Sequence, residues 1–189
     1  MDLQKAIEKR ASIRKYSDKK VNPEKIIEAI EAANLAPSPG NTSILKFIVV
    51  KNEELKEKIA EYCNQDFIKE APFVVVVCSD PAAVERLYDV RAEKYVKQHA
   101  GAAIENFLLK ITDMGLACCW VGAFMEDSLK IHLKIPTTNN IEAILPVGYQ
   151  LVSDKTVQKK KHPLNRKIFF ENYGNKYGQD FEVVRRDDI

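Results

Sequence analysis

Two segments of this sequence concentrate positive side chains suited to an anion. The stretch EKRASIRKY (8–16) carries Arg10, Arg14 and Lys15 around a short polar break. Far downstream, QKKKHPLNRK (158–167) carries Lys159, Lys160, Lys161, His162, Arg166 and Lys167 with no acidic residue among them. An arginine fork donates two parallel hydrogen bonds to a phosphate. Each charge-assisted bond contributes about 1.5–3 kcal/mol, so three or four would hold a phosphate-bearing ligand. Read singly, each segment is equally a solvated basic face; read together, they could converge on one anion. The usual nucleotide signatures are missing: no GxGxxG follows a strand, and no GxxxxGK[ST] occurs. Any nucleotide site must therefore be of another kind.

The cysteines offer less. Cys63, Cys78, Cys118 and Cys119 show no CxxC spacing, and two are adjacent. They read as small buried hydrophobes, with a reactive thiol as the alternative. His99 stands ahead of a strongly periodic helix and reads as a helix-start or surface residue within reach of a site. His132 and His162 read as structural or surface residues, and Trp120 as core.

Elements must position these groups. The chain has 189 residues, 46% hydrophobic and 30% charged, which suits one domain with an appended tail. Its 29 Lys+Arg against 27 Asp+Glu give a net charge of +2, without the positive field of a nucleic-acid binder. No apolar run approaches the roughly 20 residues needed to span a bilayer. The first residues, MDLQKAIEKRASIRKY, lack the apolar core of a signal peptide. A cytoplasmic protein with no membrane partner is the expectation.

Leu3, Ala6 and Ile7 recur at helical spacing over 2–9. Asn22-Pro23 supplies an N-cap and a first-turn proline for a helix striped by Ile26, Ile27, Ile30 and Ala33, ending before Pro37. APSPGNTS (36–43) is a loop by composition. LKFIVVK (45–51) reads as a short buried strand, and Asn52 caps a helix with Leu55, Ile59 and Tyr62 on one face. FVVVVC (73–78), β-branched and without alternation, reads as a central strand covered on both sides. The strongest helix spans 99–114, with Ala100, Ala103, Ile104, Phe107, Leu108 and Ile111 on one stripe and Gly115 as the residue that ends it. A strand and turn follow at 117–124, a short helix at 127–134 and a strand at 141–150. Strands separated by helices predict an α/β sheet with helices on both faces. From Ser153 onward apolar clusters are sparse, apart from KIFFENY (167–173) and FEVV (181–184). A tail of this kind has too little to make its own core and is expected to drape over a partner. The resulting division is a core over 1–152 and an extension over 153–189.

Four motifs in order resemble the FMN-dependent nitroreductase family over nearly the whole chain. RASIRKY (10–16) looks like that family's Arg-x-Ser-x-Arg-x-aromatic opening. APSPGNTS looks like its Ala-Pro-Ser-x-Gly-Asn loop. AGAAIENFLLKITDMGLACCWVGAF (100–124) is similar to its central helix and following turn, and ILPVGY (144–149) to the strand beyond. The resemblance implies an α+β fold, with a central mixed sheet flanked by helices. It implies a homodimer holding FMN at its interface, the C-terminal tail reaching across the partner. Arg10, Ala11 and Ser12 would meet the phosphate and ribityl end, and Arg14 the pyrimidine edge. The Pro37-Ser38-Pro39-Gly40-Asn41 loop would approach the flavin of the partner subunit. Asn64 would bond the flavin; Val121, Gly122 and Ala123 would border its N5, with backbone N–H groups from Gly122 and Ala123. Lys159 and Lys161 would close the phosphate site. The chain departs from the family pattern at Ala11, at Ser43-Ile44-Leu45 where many members carry Gln-Pro-Trp, and at Lys161 where Arg is common. The implied activity is hydride transfer from NAD(P)H, by a ping-pong mechanism, to a nitroaromatic, quinone or related acceptor. No side-chain acid, base or nucleophile is demanded. A flavin-storing or flavin-fragmenting protein, and a phosphate-ligand binder without redox chemistry, are the alternatives.

Overall fold

The computed structural model describes residues 1–151, 163–164 and 167–175. The chain divides into two compact units, Met1–Thr156 and Val157–Ile189.

In the first unit, α1 (Leu3–Lys9) leads through an extended segment into α2 (Pro23–Asn34). The Asn22 side chain accepts from the Glu24 N–H at the start of α2, as the Asn-Pro pair predicts. Then come β1 (Leu45–Val50), α3 (Glu53–Cys63), α4 (Phe67–Glu70) and β2 (Phe73–Ser79). The chain continues with α5 (Ala82–Tyr88), α6 (Ala92–Asp113), β3 (Ala117–Cys118), α7 (Glu126–Leu133) and β4 (Asn140–Gly148). The strands form one sheet in the order β1-β2-β4-β3, and every ladder is antiparallel. This corrects the α/β expectation and qualifies the mixed sheet. Among the described residues, the one parallel pairing near the sheet is an isolated bridge between Ser12 and Cys118.

β2 is buried along its whole length and divides the interior. Val75 and Val77 face a layer built by α2 and α6, including Ile26, Ala103, Phe107 and Ile111. Val74 and Val76 face α3, α4 and α7 through Ile59, Ile68 and Leu129. A strand covered on both faces has no polar side to alternate, which accounts for its continuous apolar run. β1 is instead an edge strand. Its burial is broken and Val49 is exposed, against the expectation of a buried strand. Ile27 is also exposed, the α2 stripe running through Ile26, Ala29 and Ala33.

α6 begins at Ala92, ahead of the predicted start, and ends as predicted. Gly115, at φ 73°, lies just beyond the Met114 cap. Its N–H donates to Thr112 O, and that of Leu116 donates to Ile111 O, the paired reverse bonds of a glycine-terminated helix. α4 and α5 carry too short an apolar stripe to stand out in the sequence. In the second unit, the Lys167 and Ile168 N–H groups donate to Leu164 O, and the Phe169 and Tyr173 rings lie 4.7 Å apart. Among the described residues no helix is long and apolar enough to cross a membrane.

Candidate functional site

The RASIRKY segment is held in extended form along the sheet. The Ile13 N–H donates to Cys118 O at 3.1 Å, Ser17 N–H to Tyr149 O at 2.9 Å and Leu151 N–H to Lys15 O at 3.1 Å. Its anchor is Tyr16, buried, whose hydroxyl lies 2.8 Å from Ile13 O and 3.0 Å from Pro146 O. Burial raises the Tyr16 pKa far above that of a free phenol, so the hydroxyl keeps its proton. Gly148 allows this anchor to seat, because a Cβ there would stand 2.8 Å from both Pro72 Cδ and Tyr16 Cδ1. Ile13, Tyr16, Ala71 and Ala117 form a small apolar cluster with half-buried Ala11 against it. Ala11 thus faces inward, while Ser12 and Arg14 are exposed.

The three polar residues of the motif alternate with Ala11 and Ile13 of the apolar cluster. Burial raises the Cys119 pKa, and the Arg14 and Arg10 charges and the Ser12 hydroxyl oppose that rise. Ser12 is bridged to Cys118, just ahead of the 119–123 turn, and Arg10 and Arg14 flank it in the segment. Arg10 caps α1, and its Nε stands 3.7 Å from Glu105 Oε1, a partly exposed pair. The Arg14 guanidinium lies 5.8 Å from the centre of the Phe67 ring, which places it near the turn containing Asn64. Asn64 closes α3 in the left-handed conformation at φ 50° and is exposed. The Met125 N–H donates to Tyr62 O at 2.9 Å, tying the far end of the 121–125 turn to the same end of α3.

Val121 anchors the turn. It is buried, and its N–H and C=O exchange two 3.0 Å bonds with Ile144, so it offers no backbone donor to a ligand. It fixes the turn from which Gly122 and Ala123 project. Those two are exposed, and among the described residues no oxygen accepts from either N–H. A Cβ on Gly122 would meet nothing within 4 Å. Trp120, expected in the core, is 40% exposed beside this turn. Two arginines, a hydroxyl and two free N–H groups form a donor set that fits an anionic, flat cofactor such as FMN.

The Pro37–Asn41 loop packs elsewhere. Gly40 and Asn41 adopt φ 58° and 54°, and a Cβ on Gly40 would lie 3.1 Å from Leu87 Cδ1 and 3.2 Å from the Tyr88 hydroxyl oxygen. The loop therefore rests on α5. Pro37, Ser38 and Pro39 form one wall of a cleft of about 390 Å³, whose other walls are Tyr88, Tyr95, Gln98, His99 and Ala102. His99 is inside α6 and 6% exposed, which corrects the reading of it as a helix-start or surface residue. A second cleft, about 460 Å³, lies beside the 119–123 turn, lined by Gly101, Ile104, Trp120, Gly122 and Phe124 together with Lys97, Glu126 and Glu142. Glu142 accepts from Ser79 Oγ at 2.6 Å and from Lys97 Nζ at 3.0 Å. Sequence reading missed Phe67, Tyr88, Tyr95 and Glu142, since nothing local marks which aromatic or acid will face a cleft. His132 is exposed and bonded to Tyr62.

All four cysteines are buried and free. Burial pushes the Cys63 thiol up to about 12 and the Cys78 thiol to about 11, so both behave as small hydrophobes. Lys159, Lys160, Lys161, His162 and Arg166 lie outside the described residues; Lys167 is exposed.

Comparison with known proteins converges on one group. A family model described as the nitroreductase family matches residues 7–66 and 60–149. A candidate NADH dehydrogenase/NAD(P)H nitroreductase from Archaeoglobus fulgidus is 33% identical over 150 residues, 77% of this chain and 83% of that protein. The crystal structure of a nitroreductase family protein from Clostridium novyi NT superposes with a TM-score of 0.75 at 28% identity, covering 94% of this chain and 97% of that one. An FMN-dependent nitroreductase from Clostridium difficile R20291 gives 0.74 at 27% identity, covering 89% and 98%. With the matched stretches reaching unbroken from the end of α1 to the end of β4, the protein belongs to the nitroreductase family.

Proposed function

We propose that this chain is an FMN-dependent oxidoreductase, which takes hydride from NAD(P)H and passes electrons to a nitroaromatic, quinone or related acceptor. The observation that carries the reading is the alternation of Arg10, Ser12 and Arg14 along a segment bridged to Cys118, just ahead of a turn whose Gly122 and Ala123 N–H groups have no acceptor among the described residues. Names borne by the relatives, an FMN-dependent nitroreductase and a candidate NAD(P)H nitroreductase, point the same way. Bound FMN would supply the hydride-accepting chemistry.

The chain's own residues would do the following. Arg10 and Ser12 hold the phosphate end. Arg14, kept in place by the Phe67 ring, sets a fixed positive charge where the reduced ring would carry negative charge, which favours reduction electrostatically. Gly122 and Ala123 present N–H groups to the ring edge from a turn pinned by Val121, and Asn64 adds a polar side chain nearby. Lys159 and Lys161 complete the phosphate site. Two copies form the working unit: Pro37–Asn41 of one chain borders the flavin of the other, and residues 153–189 reach across the partner. Both substrates use the same site in turn, which gives ping-pong kinetics, and the enzyme works in the cytoplasm.

The test is a visible absorbance spectrum of the purified protein, followed by anaerobic addition of NADH and of NADPH. A yellow protein bleached by one or both nicotinamides is expected. A protein that stays colourless after FMN addition refutes the reading. Bound flavin that neither nicotinamide reduces favours a storage or flavin-fragmenting role.

A further inference from the structure

One buried cation has no part in the site described above. Lys56, in α3, is 3% exposed and is the one lysine or arginine buried among the described residues. Burying an ammonium group is costly unless its donors are met. Its Nζ donates to Ala71 O at 2.8 Å and to Lys69 O at 3.3 Å, and stands 3.0 Å from Glu53 Oε2. Three acceptors thus match the three N–H donors of the group. Glu53 is mostly exposed, so that ion pair adds little. The two carbonyls at the C-terminal end of α4 are what the ammonium group holds.

α4 needs such a clamp. It has four residues and no side-chain cap, and a helix so short does not hold itself. Its flanking turn bonds, Ile68 N–H to Gln65 O, Lys69 N–H to Asp66 O and Ala71 N–H to Ile68 O, are 3.2–3.3 Å long, at the weak end of the usual range. Phe67 is the first residue of α4, and the Arg14 guanidinium lies 5.8 Å from the centre of its ring. Ala71, whose carbonyl Lys56 takes, belongs to the apolar cluster that seats Ile13 and Tyr16, with Phe67 packed against it. The clamp therefore bears on the ring beside Arg14 and on the cluster that holds the Arg14 segment.

We propose that Lys56 is a positioning residue for Arg14: by clamping the end of α4 it fixes the Phe67 ring against the guanidinium, and so sets the positive charge that a reduced flavin ring would meet. The consequence for flavin rests on the FMN reading, while the positioning itself is measured without flavin.

The test uses the full chain. In flavin-free protein with ¹⁵N-labelled arginine, the Arg14 Nε–H proton is expected upfield of an exposed arginine's, because of the Phe67 ring current. Lys56→Met, which keeps an apolar stem and removes the three donors, is expected to move it toward the exposed value. Phe67→Leu is expected to do the same with the clamp intact. In FMN-loaded protein, the preference for reduced over oxidised FMN is read from the flavin midpoint potential. It is expected to fall about two- to fivefold in Lys56→Met, the range of a cation–π contact at an exposed site. A similar fall is expected in Phe67→Leu, with little further fall in the double variant. A purely structural role for Lys56 lowers Tm without moving that preference. Should Lys56→Met not fold, Lys56→Gln, which keeps two N–H donors, takes its place in both measurements and is expected to shift them in the same direction. An Arg14 resonance unmoved by loss of the clamp overturns the proposal, as does an unchanged flavin preference or full additivity with Phe67→Leu. Wild-type protein that binds no FMN overturns the FMN reading instead, and the Arg14 resonance in flavin-free protein still decides the positioning.

Discussion

Gly148→Ala tests whether the RASIRKY motif depends on a close passage at the end of β4. The added Cβ would sit 2.8 Å from Pro72 Cδ, 2.8 Å from Tyr16 Cδ1 and 3.3 Å from Tyr16 Cβ. Carbon atoms pack comfortably at about 3.5–4.0 Å, so the neighbours must retreat by about 0.7–1.2 Å. The proline ring is rigid, and Gly148 is paired to Ala117 in the sheet. Tyr16 is therefore the group that moves, and its hydroxyl leaves Ile13 O and Pro146 O. Overpacking of this kind costs about 1–3 kcal/mol, and the lost hydrogen bond about 1 kcal/mol more. A total near 3 kcal/mol lowers Tm by about 6–12 °C for a chain of this length. Thermal unfolding followed by circular dichroism at fixed protein concentration reads this directly. FMN affinity falls as well, because the displaced segment carries Arg14 and Ser12. In a double-mutant cycle with Tyr16→Ala, the two losses should fall well short of adding, since the alanine removes the clash. An unchanged Tm in Gly148→Ala, or strict additivity in the cycle, refutes the close-passage argument.

Other outcomes follow from the same geometry. Arg10→Ala weakens FMN binding by about 1.5–3 kcal/mol with the fold kept; fluorescence titration of FMN checks it, and unchanged affinity removes Arg10 from the phosphate site. Tyr16→Phe lowers stability by about 1 kcal/mol or more, because a buried carbonyl loses its donor; denaturant unfolding measures it. Burial lowers the His99 pKa, so below about pH 6.5 the unfolded chain binds the proton first. Stability from this group is complete above that pH and declines as the pH falls toward the folded pKa. His99→Gln should flatten that part of the stability curve. Truncation after Leu151 is expected to release the dimer, and a truncated protein that still elutes as a dimer rejects the tail embrace.

What the sequence by itself determined was local. The caps at Asn22 and Asn52, the glycine end of α6 and the two-sided burial of FVVVVC depend on a few neighbouring residues, and each is legible in their order. The motif residues Arg10, Ser12 and Arg14 were legible as types. Tertiary structure alone decided where they face. Antiparallel pairing came from β1, β2 and β4 lying side by side, which helix-and-strand alternation does not encode. Val121 pins the turn because Ile144, distant in sequence, takes its N–H. Ile27 and Trp120 became surface residues because the buried side of α2 runs through Ile26, Ala29 and Ala33 and because Trp120 borders the second cleft. His99 became buried, with Nδ1 unpaired among the described residues, because α6 begins nearly two turns before it and the Pro37–Pro39 loop lines the same cleft. Hydrogen-bond supply and demand is settled between segments far apart in the chain, so the periodicity of any one of them is silent about it.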